Sequence, residues 1–235
     1  MPEDMPDLPW RSSRTSPFRR SLSREVIVEA AMDVLRKDGV DGVSMRRVAT
    51  ELSTGPASLY AHVAHKEELI ELLYDEVAGD IPLPEPDPER WREQVTQLWV
   101  DSRATLLRHR DIARTSLGSI PLGPNALAVA EVTVTLLRMG GVPEQAVAWA
   151  VDVVGLFVTA SAVEGSMEAR RREGRDPTAP DEMDLRELVA GLPADRFPNV
   201  VSLLPLLAVG SDEERFRFGL ELLVGGLVAL ADRPG

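Results

Sequence analysis

The segment from residue 44 to residue 68 constrains the fold of this chain most, because it reads as a helix, a tight turn and a second, short helix. Ser44 is a favourable N-cap for the first helix, since its hydroxyl can accept a backbone N–H. The apolar residues of that helix recur on one face, at Val48, Ala49 and Leu52. Gly55 breaks the pattern, and Pro56 suits the first turn of a new helix. The segment therefore predicts a helix-turn-helix.

The second helix of this motif is only about two turns long, which is too short to be stable alone. Leu59 and Val63 lie four residues apart and can anchor it to its neighbours. The other side chains of this helix are small or polar and are expected to face outward: Ala57, Ser58, Ala61 and His62. A short helix with small outward side chains fits the major groove of DNA, so the segment favours a DNA-binding function.

The charge of the chain is unevenly distributed, although its net value of −12 argues against a general nucleic-acid binder. Residues 1–66 contain ten Lys and Arg against nine Asp and Glu, whereas the remainder contains 16 against 29. This asymmetry indicates a localised DNA-binding surface on an acidic body that repels DNA elsewhere.

Changes in composition divide the chain into three parts. Residues 1–22 are rich in Pro, Ser and Arg and have no helical period, so we expect a flexible basic arm. It is either a solvated, unstructured arm or an arm that contacts the DNA backbone or minor groove. A proline-rich linker at residues 81–88 then separates a predicted helix-turn-helix domain at 23–80, which includes a linking helix, from a predicted ligand-binding and dimerisation domain at 88–235.

Both domains read as helix throughout, so the predicted fold class is all-α. Beyond the linker, the predicted helices are 88–109, 111–117, 124–139, 143–172, 185–190, 199–207 and 212–231, with a polar loop at 174–184. The helices at 143–172 and 212–231 are apolar almost all round. A single central core helix could explain only the first of them. Both together are better explained by a homodimer interface.

Several other classes of protein are not favoured. The chain has no cysteine, so disulfides and thiolate metal sites are excluded. The three histidines, His62, His65 and His109, are too scattered for a metal site, and no catalytic or nucleotide-binding motif is present. The longest apolar run, 146–163, contains Asp152, which is costly inside a bilayer. We expect no cofactor, no signal peptide, no membrane partner, no enzymatic activity and a cytoplasmic location.

The run Leu-Tyr-x-His-Val-x-x-Lys at residues 59–66 resembles the DNA-binding domain of the TetR family of transcription regulators. Its position after an amphipathic helix and before a long helical remainder strengthens the resemblance. The family is dimeric and helical, and its members bind double-stranded DNA at palindromic operators and respond to small-molecule effectors. The resemblance implies the same partners and the same homodimer for this chain.

The resemblance also implies roles for individual residues. Arg46 matches an arginine that reads a guanine, whereas Arg47 is either a second contact or a solvated charge. Tyr60, His62 and Lys66 match phosphate contacts. Small apolar contacts, plausibly to a thymine methyl, are expected at the start of the second helix. The expected DNA-binding residues are Ser44, Met45, Arg46, Arg47, Gly55, Pro56, Ala57, Ser58, Tyr60, His62 and Lys66.

The second half of the chain resembles the ligand domain of the tetracycline repressor subgroup, at residues 106–111, 117–121, 162–164 and 216–222. Three departures from that subgroup matter, because a metal-coordinating histidine, a drug-binding asparagine and a ligand-binding histidine are replaced by Ser116, Leu98 and Pro82. Tetracycline recognition is therefore not expected, and a drug-sized hydrophobic effector is favoured. The expected ligand-binding residues are Leu98, Ser102, Ser116, Ser119, Val132 and Glu164, the last matching an acid that approaches from the partner subunit.

The predicted mechanism depends on the helix that links the two domains. An effector bound against this helix would shift it and change the spacing of two recognition helices, which must lie about one DNA turn, roughly 34 Å, apart. The result is a repressor that its effector releases from DNA. The alternative is a helical ligand-binding or catalytic dimer whose helix-turn-helix is only a scaffold. The choice between repressor and activator also stays open.

Overall fold

The computed structural model describes residues 22–117, 120–172, 174, 191–207 and 209–233, and these residues include helices, turns and loops but no strand. This confirms the predicted all-α class. Along the described chain the helices are α1 (Arg24–Gly42), α2 (Met45–Glu51), α3 (Pro56–Leu59), α4 (Lys66–Ala78), α5 (Trp91–Arg108), a 3₁₀ helix (Arg110–Thr115), α6 (Pro124–Met139), α7 (Glu144–Arg172), α8 (Pro198–Leu207) and α9 (Asp212–Ala231).

The ends of these helices follow the predicted caps. The Ser44 hydroxyl accepts the backbone N–H of Arg47 at 3.2 Å and so caps α2. At the start of α9, Ser211 and Glu214 form the predicted reciprocal capping box. Helix α1 is interrupted at Gly39, whose φ of +73° lies in the left-handed region that glycine tolerates.

Two predicted helices have a different form in the structure. Helix α3 spans only four residues, because the chain turns after Leu59 and the N–H groups of His62 and Val63 both point back to the Leu59 carbonyl. The segment predicted at 111–117 is a 3₁₀ helix that ends at Thr115. The predicted helix at 185–190, the predicted basic arm at 1–21 and most of the predicted loop at 174–184 lie outside the described residues.

Helices α1–α4, residues 24–78, form a unit that we call the reading head. Its core is made of side chains with no exposed surface, among them Ile27, Val34, Leu35, Val48, Leu59, Val63, Leu69 and Leu73. Leu59 and Val63 therefore anchor the short α3, as predicted. Burial of such a side chain contributes about 1.5–3 kcal/mol, which explains how a one-turn helix is held in place.

The C-terminal domain, residues 91–233, is built around α5, which packs against α6, α7 and α9. A buried guanidinium ties three of these helices together. Arg103 on α5 donates to Ser161 on α7 at 2.8 Å, and it is paired with Asp212 and Glu213 in the first turn of α9. Its guanidinium also lies 4.7 Å from the centre of the Phe216 ring. The last helix is thus fixed at its N-terminus by both charge and packing.

The 3₁₀ helix is the element of the C-terminal domain that touches the reading head most directly, since it packs against both α1 and α4. Arg114 pairs with Asp41 at the end of α1, with a distance of 2.7 Å between nitrogen and oxygen. Asp111 pairs in turn with Arg170 on α7 at 2.9 Å. The reading head is therefore attached to the C-terminal domain by ion pairs as well as by the chain itself.

Candidate DNA interface and α4 cleft

Two neighbouring arginines on α2 differ in their partners. Arg47 pairs with Glu51 at 2.8 Å and with Asp38 at 3.4 Å, so its charge is compensated within the protein. Arg46 is exposed, and within the described part of the chain it has no carboxylate at ion-pair distance. A free guanidinium beside a recognition helix is available to a guanine base. Of the two predicted arginines, the structure favours Arg46 as the one that can reach DNA.

The outward face of α3 is open. Gly55, Pro56, Ala57 and Ser58 are all exposed, and a Cβ added at Gly55 would meet no described atom within 4 Å. Tyr60, directly after the helix, is 53% exposed and its ring projects into solvent. This surface is small and uncharged, which suits close approach to base edges and phosphates.

The structure corrects two of the predicted DNA contacts. The Met45 side chain is only 6% exposed and belongs to the core, so it cannot reach a base. Its position is the first of α2, where a sequence pattern cannot distinguish an inward from an outward residue. The Ser44 hydroxyl is occupied by its cap of α2. Only the backbone N–H groups at this end of α2 remain as contacts.

The start of α4 carries the other predicted phosphate contacts. Lys66 is exposed as the first residue of the helix and has no ion-pair partner among the described residues. His62 is half-buried, and its carbonyl accepts hydrogen bonds from Arg24 at 3.3 Å. The sequence gave no reason to assign a role to His65, whose Nδ1 accepts the N–H of Glu68 at 3.0 Å and caps α4. Its neighbour Lys66 is thereby placed at a rigid helix end.

A cleft of about 340 Å³ runs along α4 between the reading head and the loop that precedes α6, and we call it the α4 cleft. Its apolar walls are Ile70 and Leu72 of α4 and Ile120, Pro121 and Leu122 of the loop. Its polar lining residues include Arg24, Glu68, Glu71, Tyr74, Asp75, Thr115 and Ser116. The cleft is therefore large enough for part of a drug-sized ligand.

Of the predicted ligand-binding residues, the structure brings only Ser116 to the α4 cleft. Leu98 and Ser102 are buried in the core, where the Ser102 hydroxyl donates to the Leu98 carbonyl of its own helix at 2.7 Å. Val132 is half-buried on α6 and Glu164 is exposed on α7. Ser119 lies outside the described residues. A single predicted pocket containing all of them is not formed within one chain.

Two consecutive α4 residues that sequence reasoning missed connect this helix to the C-terminal domain. The Tyr74 hydroxyl is hydrogen-bonded to Ser116 and to Thr159 of α7. Burial raises the pKa of the Tyr74 phenol, and these two hydrogen bonds offset part of that rise. A neutral tyrosine is thus held at the floor of the cleft.

Asp75 is the second of these residues, and it caps a helix other than its own. Its Oδ1 accepts the backbone N–H groups of Asn125 and Ala126 in the first turn of α6, both at 3.0 Å. The Asn125 side chain donates to the Asp75 carbonyl, also at 3.0 Å. The close approach requires Gly123, where an added Cβ would lie 2.1 Å from the carboxylate. Helix α4 is therefore fastened to α6 at a defined point.

A large apolar surface of the C-terminal domain is exposed. On α7 it follows one face, with Trp149 65% exposed and Val153 and Leu156 about half exposed, and Glu164 and Met167 continue the same face. On α9, Phe218 and Leu222 are each 63% exposed. An added Cβ would meet no described atom within 4 Å at Gly155 of α7 or at Gly225 and Gly226 of α9, so another backbone could approach closely. Such a surface is typical of a protein interface.

By length and composition alone, α7 could also cross a membrane, and a third of its most apolar window is buried. One helix of this kind is weak evidence, because core and interface helices pass the same test.

Comparison with known proteins identifies the family. A family model described as bacterial regulatory proteins, tetR family, matches residues 27–73. A second, described as tetracyclin repressor-like, C-terminal domain, matches residues 83–231 and so covers more than half of the chain. The chain belongs to the TetR family.

Relatives within the TetR family support the same assignment over nearly the whole chain. An HTH-type transcriptional regulator of Saccharopolyspora erythraea is 32% identical over 95% of this chain and 90% of its own length. The HTH-type transcriptional repressor DrrR1 of Streptomyces coeruleorubidus is 31% identical, with 92% and 81% covered. The crystal structure of the Streptomyces coelicolor TetR family protein ActR in complex with actinorhodin is 40% identical, covers 91% of this chain and 99% of its own, and has a TM-score of 0.81.

These similarities show that this member of the TetR family is a ligand-responsive, DNA-binding transcriptional regulator. Its residues do not fit the magnesium–tetracycline complex that tetracycline repressors bind. Ser116 replaces the coordinating histidine, and its hydroxyl is engaged by the Ala113 carbonyl and by Tyr74. Among the described residues, no three His, Asp or Glu side chains are close enough to hold a metal ion. A metal-dependent ligand is not supported by this donor set.

Proposed function

We propose that this protein is a homodimeric repressor that binds a palindromic operator and that a small, apolar or amphipathic effector releases it from DNA. The observation that carries the proposal is the position of α4. This helix begins at Lys66 beside the exposed face of α3 and then forms a wall of the α4 cleft. One rigid element therefore touches both a DNA surface and a ligand-sized cleft.

On the DNA side, we propose that the unpaired Arg46 reads a guanine and that the exposed face of α3 contacts neighbouring bases. Tyr60, His62 and Lys66 contact phosphates and set the position of the reading head on the duplex. The internal ion pairs of Arg47 leave it a minor role in DNA binding. The acidic C-terminal domain discourages binding in any other orientation.

We propose that the exposed faces of α7 and α9 form the homodimer interface by packing against the same faces of a second copy. The supporting observation is the exposure of Trp149, Leu156, Phe218 and Leu222, which water would otherwise contact. Glu164 lies on the same face of α7, so it would approach the partner subunit, as the resemblance to tetracycline repressors implies.

For the effector, we propose the α4 cleft as the binding region and an apolar or amphipathic, drug-sized molecule as the ligand class. The apolar cleft walls support this class, and the ActR complex with actinorhodin shows that a relative binds a molecule of comparable size. Binding would move α4 against its attachments and change the separation of the two reading heads from the roughly 34 Å that a palindrome requires. Because operator DNA is the target, we propose a cytoplasmic location.

The test begins with selection of bound duplexes from a random pool by the full chain, followed by anisotropy titrations at several salt concentrations. We expect an inverted repeat whose half-sites lie about one helical turn apart, with affinity that falls steeply with salt. Sequence-independent binding, or none, would instead support a helix-turn-helix that is only a scaffold. A reporter placed behind the selected operator should be silenced by the protein, and stimulation would identify an activator.

The effector is then sought by adding compounds to the protein–operator complex, with actinorhodin and a panel of apolar and amphipathic aromatic molecules as probes. Release at micromolar concentration by a member of this panel is expected. Release only by small hydrophilic compounds would overturn the proposed ligand class but would leave the DNA-binding function intact.

A further inference from the structure

The hydroxyl group of Tyr74 occupies an unusual position in this molecule. Tyr74 lies on α4, the helix that begins at the DNA surface, and it also lines the α4 cleft. Its hydroxyl is hydrogen-bonded to Ser116, at the end of the 3₁₀ helix, and to Thr159 on α7. Three separately moving elements therefore meet at one oxygen.

The partners of Tyr74 are buried, which makes this network sensitive to its surroundings. Ser116 is 9% exposed and Thr159 is 8% exposed. A buried hydroxyl that loses its partner without replacement is strongly disfavoured, so these groups exchange partners rather than stand alone. Ser116 also lines the cleft, so a ligand oxygen there can replace Tyr74 as its partner.

This position differs from the attachment made by the adjacent Asp75. The Asp75 carboxylate binds backbone N–H groups of α6, which a ligand cannot easily replace. Tyr74 depends on side-chain hydroxyls, one of which belongs to a residue of the cleft. Of the two, only the Tyr74 contact can respond directly to what occupies the cleft.

We propose that the Tyr74 hydroxyl couples the α4 cleft to the reading head, and that the effector is an apolar molecule with a hydrogen-bonding oxygen that displaces it. An effector carbonyl or hydroxyl takes Ser116 as its partner, Tyr74 loses that hydrogen bond, and α4 moves. Tyr74 is thus a positioning residue for DNA binding and does not touch DNA. The inference rests on the proposed repressor function, and it adds a requirement on the chemistry of the effector.

Linkage makes the proposal testable without the effector. If displacement of Tyr74 weakens DNA binding, operator binding must in turn change the environment of Tyr74. The chain contains only two tyrosines, Tyr60 and Tyr74, so protein labelled with 3-fluorotyrosine gives two fluorine resonances. The variants Tyr60→Phe and Tyr74→Phe assign them.

The experiment adds the selected operator to labelled full-length protein, with a scrambled duplex of equal length as the reference. We expect the operator, and not the scrambled duplex, to move the Tyr74 resonance. Ser116→Ala should reduce that movement, whereas Ser102→Ala should not, because the Ser102 hydroxyl is bonded only within its own helix. A Tyr74 resonance that is identical in free and operator-bound protein overturns the proposal, while the operator binding itself leaves the proposed function in place.

Operator affinity provides the second measurement. Tyr74→Phe removes one hydroxyl and should change the operator dissociation constant by about threefold to tenfold, the range expected for one net hydrogen bond. Ser102→Ala serves as the control for loss of a buried hydroxyl and should leave the constant within about twofold. If Tyr74→Phe and Ser102→Ala lower the melting temperature alike and leave operator affinity alike, Tyr74 is only structural and the proposal is wrong.

Discussion

The reading head and the C-terminal domain solve the problem of burying apolar surface in different ways. The reading head completes its core within one chain, with Ile27, Leu35, Leu59 and Leu69 fully buried. The C-terminal domain leaves Trp149, Phe218 and Leu222 exposed on faces that no other part of the described chain covers. The comparison teaches that the first unit is complete as a monomer, whereas the second is completed only by a partner.

The largest test of this comparison is Leu222→Arg, which places a charge in the exposed α9 face. We expect loss of the dimer and a drop in operator affinity of several powers of ten, because one half-site contact replaces two. Sedimentation at micromolar concentration and anisotropy measure the two effects. Leu127→Arg introduces the same change at an exposed leucine of α6 and should leave the dimer intact. A Leu222→Arg variant that remains dimeric would remove α9 from the interface.

A second test concerns the ligand that the C-terminal domain does not accept. Magnesium–tetracycline should fail to release the operator, because Ser116 and Leu98 offer neither an imidazole nor an amide. Unpaired polar groups on a buried drug cost about 1–3 kcal/mol each, so two or three of them weaken binding by several powers of ten. A tetracycline repressor assayed in parallel provides the positive control. Release of this protein at micromolar tetracycline would show that the ligand site differs from the one inferred.

A third test separates reading from positioning within the reading head. Arg46→Ala should cost about 1–3 kcal/mol and relax the preference at one base pair in each half-site. Lys66→Ala should weaken binding to operator and scrambled duplexes alike. The measurement is anisotropy against the operator and its single-base variants. An Arg46→Ala protein that keeps the full sequence preference would assign base reading to other residues.

The smallest expected effect is at the joint between the two units. Asp75→Ala removes the cap of α6 and should lower the free energy of unfolding by about 0.5–2 kcal/mol. Asp75→Asn keeps an acceptor oxygen and should lose less. Glu71→Ala, one turn earlier on the exposed side of α4, is the control and should change little. Urea unfolding measures all three. Equal losses for Asp75→Ala and Asp75→Asn would show that the carboxylate charge matters more than the cap.

The two regions also differed in how far the sequence could predict them. The reading head depends on local signals, so the Ser44 cap, the Pro56 start and the anchoring residues Leu59 and Val63 could all be predicted. The shortening of α3 could not, because it depends on both the His62 and Val63 N–H groups sharing one carbonyl. The burial of Met45 likewise depends on which way the first turn of α2 faces.

In the C-terminal domain, the helices and the α9 capping box could be predicted, but the site residues could not. The position of a pocket depends on how distant helices pack, and so Leu98 and Ser102 lie in the core instead. Tyr74 and Asp75 carry no motif, because their partners Thr159 and Asn125 are far away in sequence. The buried Arg103 was also missed, since its acidic partners lie in the last helix.

The contacts of Arg103 have a consequence for how the chain is made. Arg103 and Asp212 are separated by 109 residues, whereas the ion pair between Arg24 and Glu68 in the reading head spans 44. Contacts between distant residues form late, and domains generally fold from the N-terminus during synthesis. The reading head can therefore close while the ribosome is still translating, but the C-terminal domain must wait for α9. A nascent chain acquires its DNA-reading surface before it can find its mate.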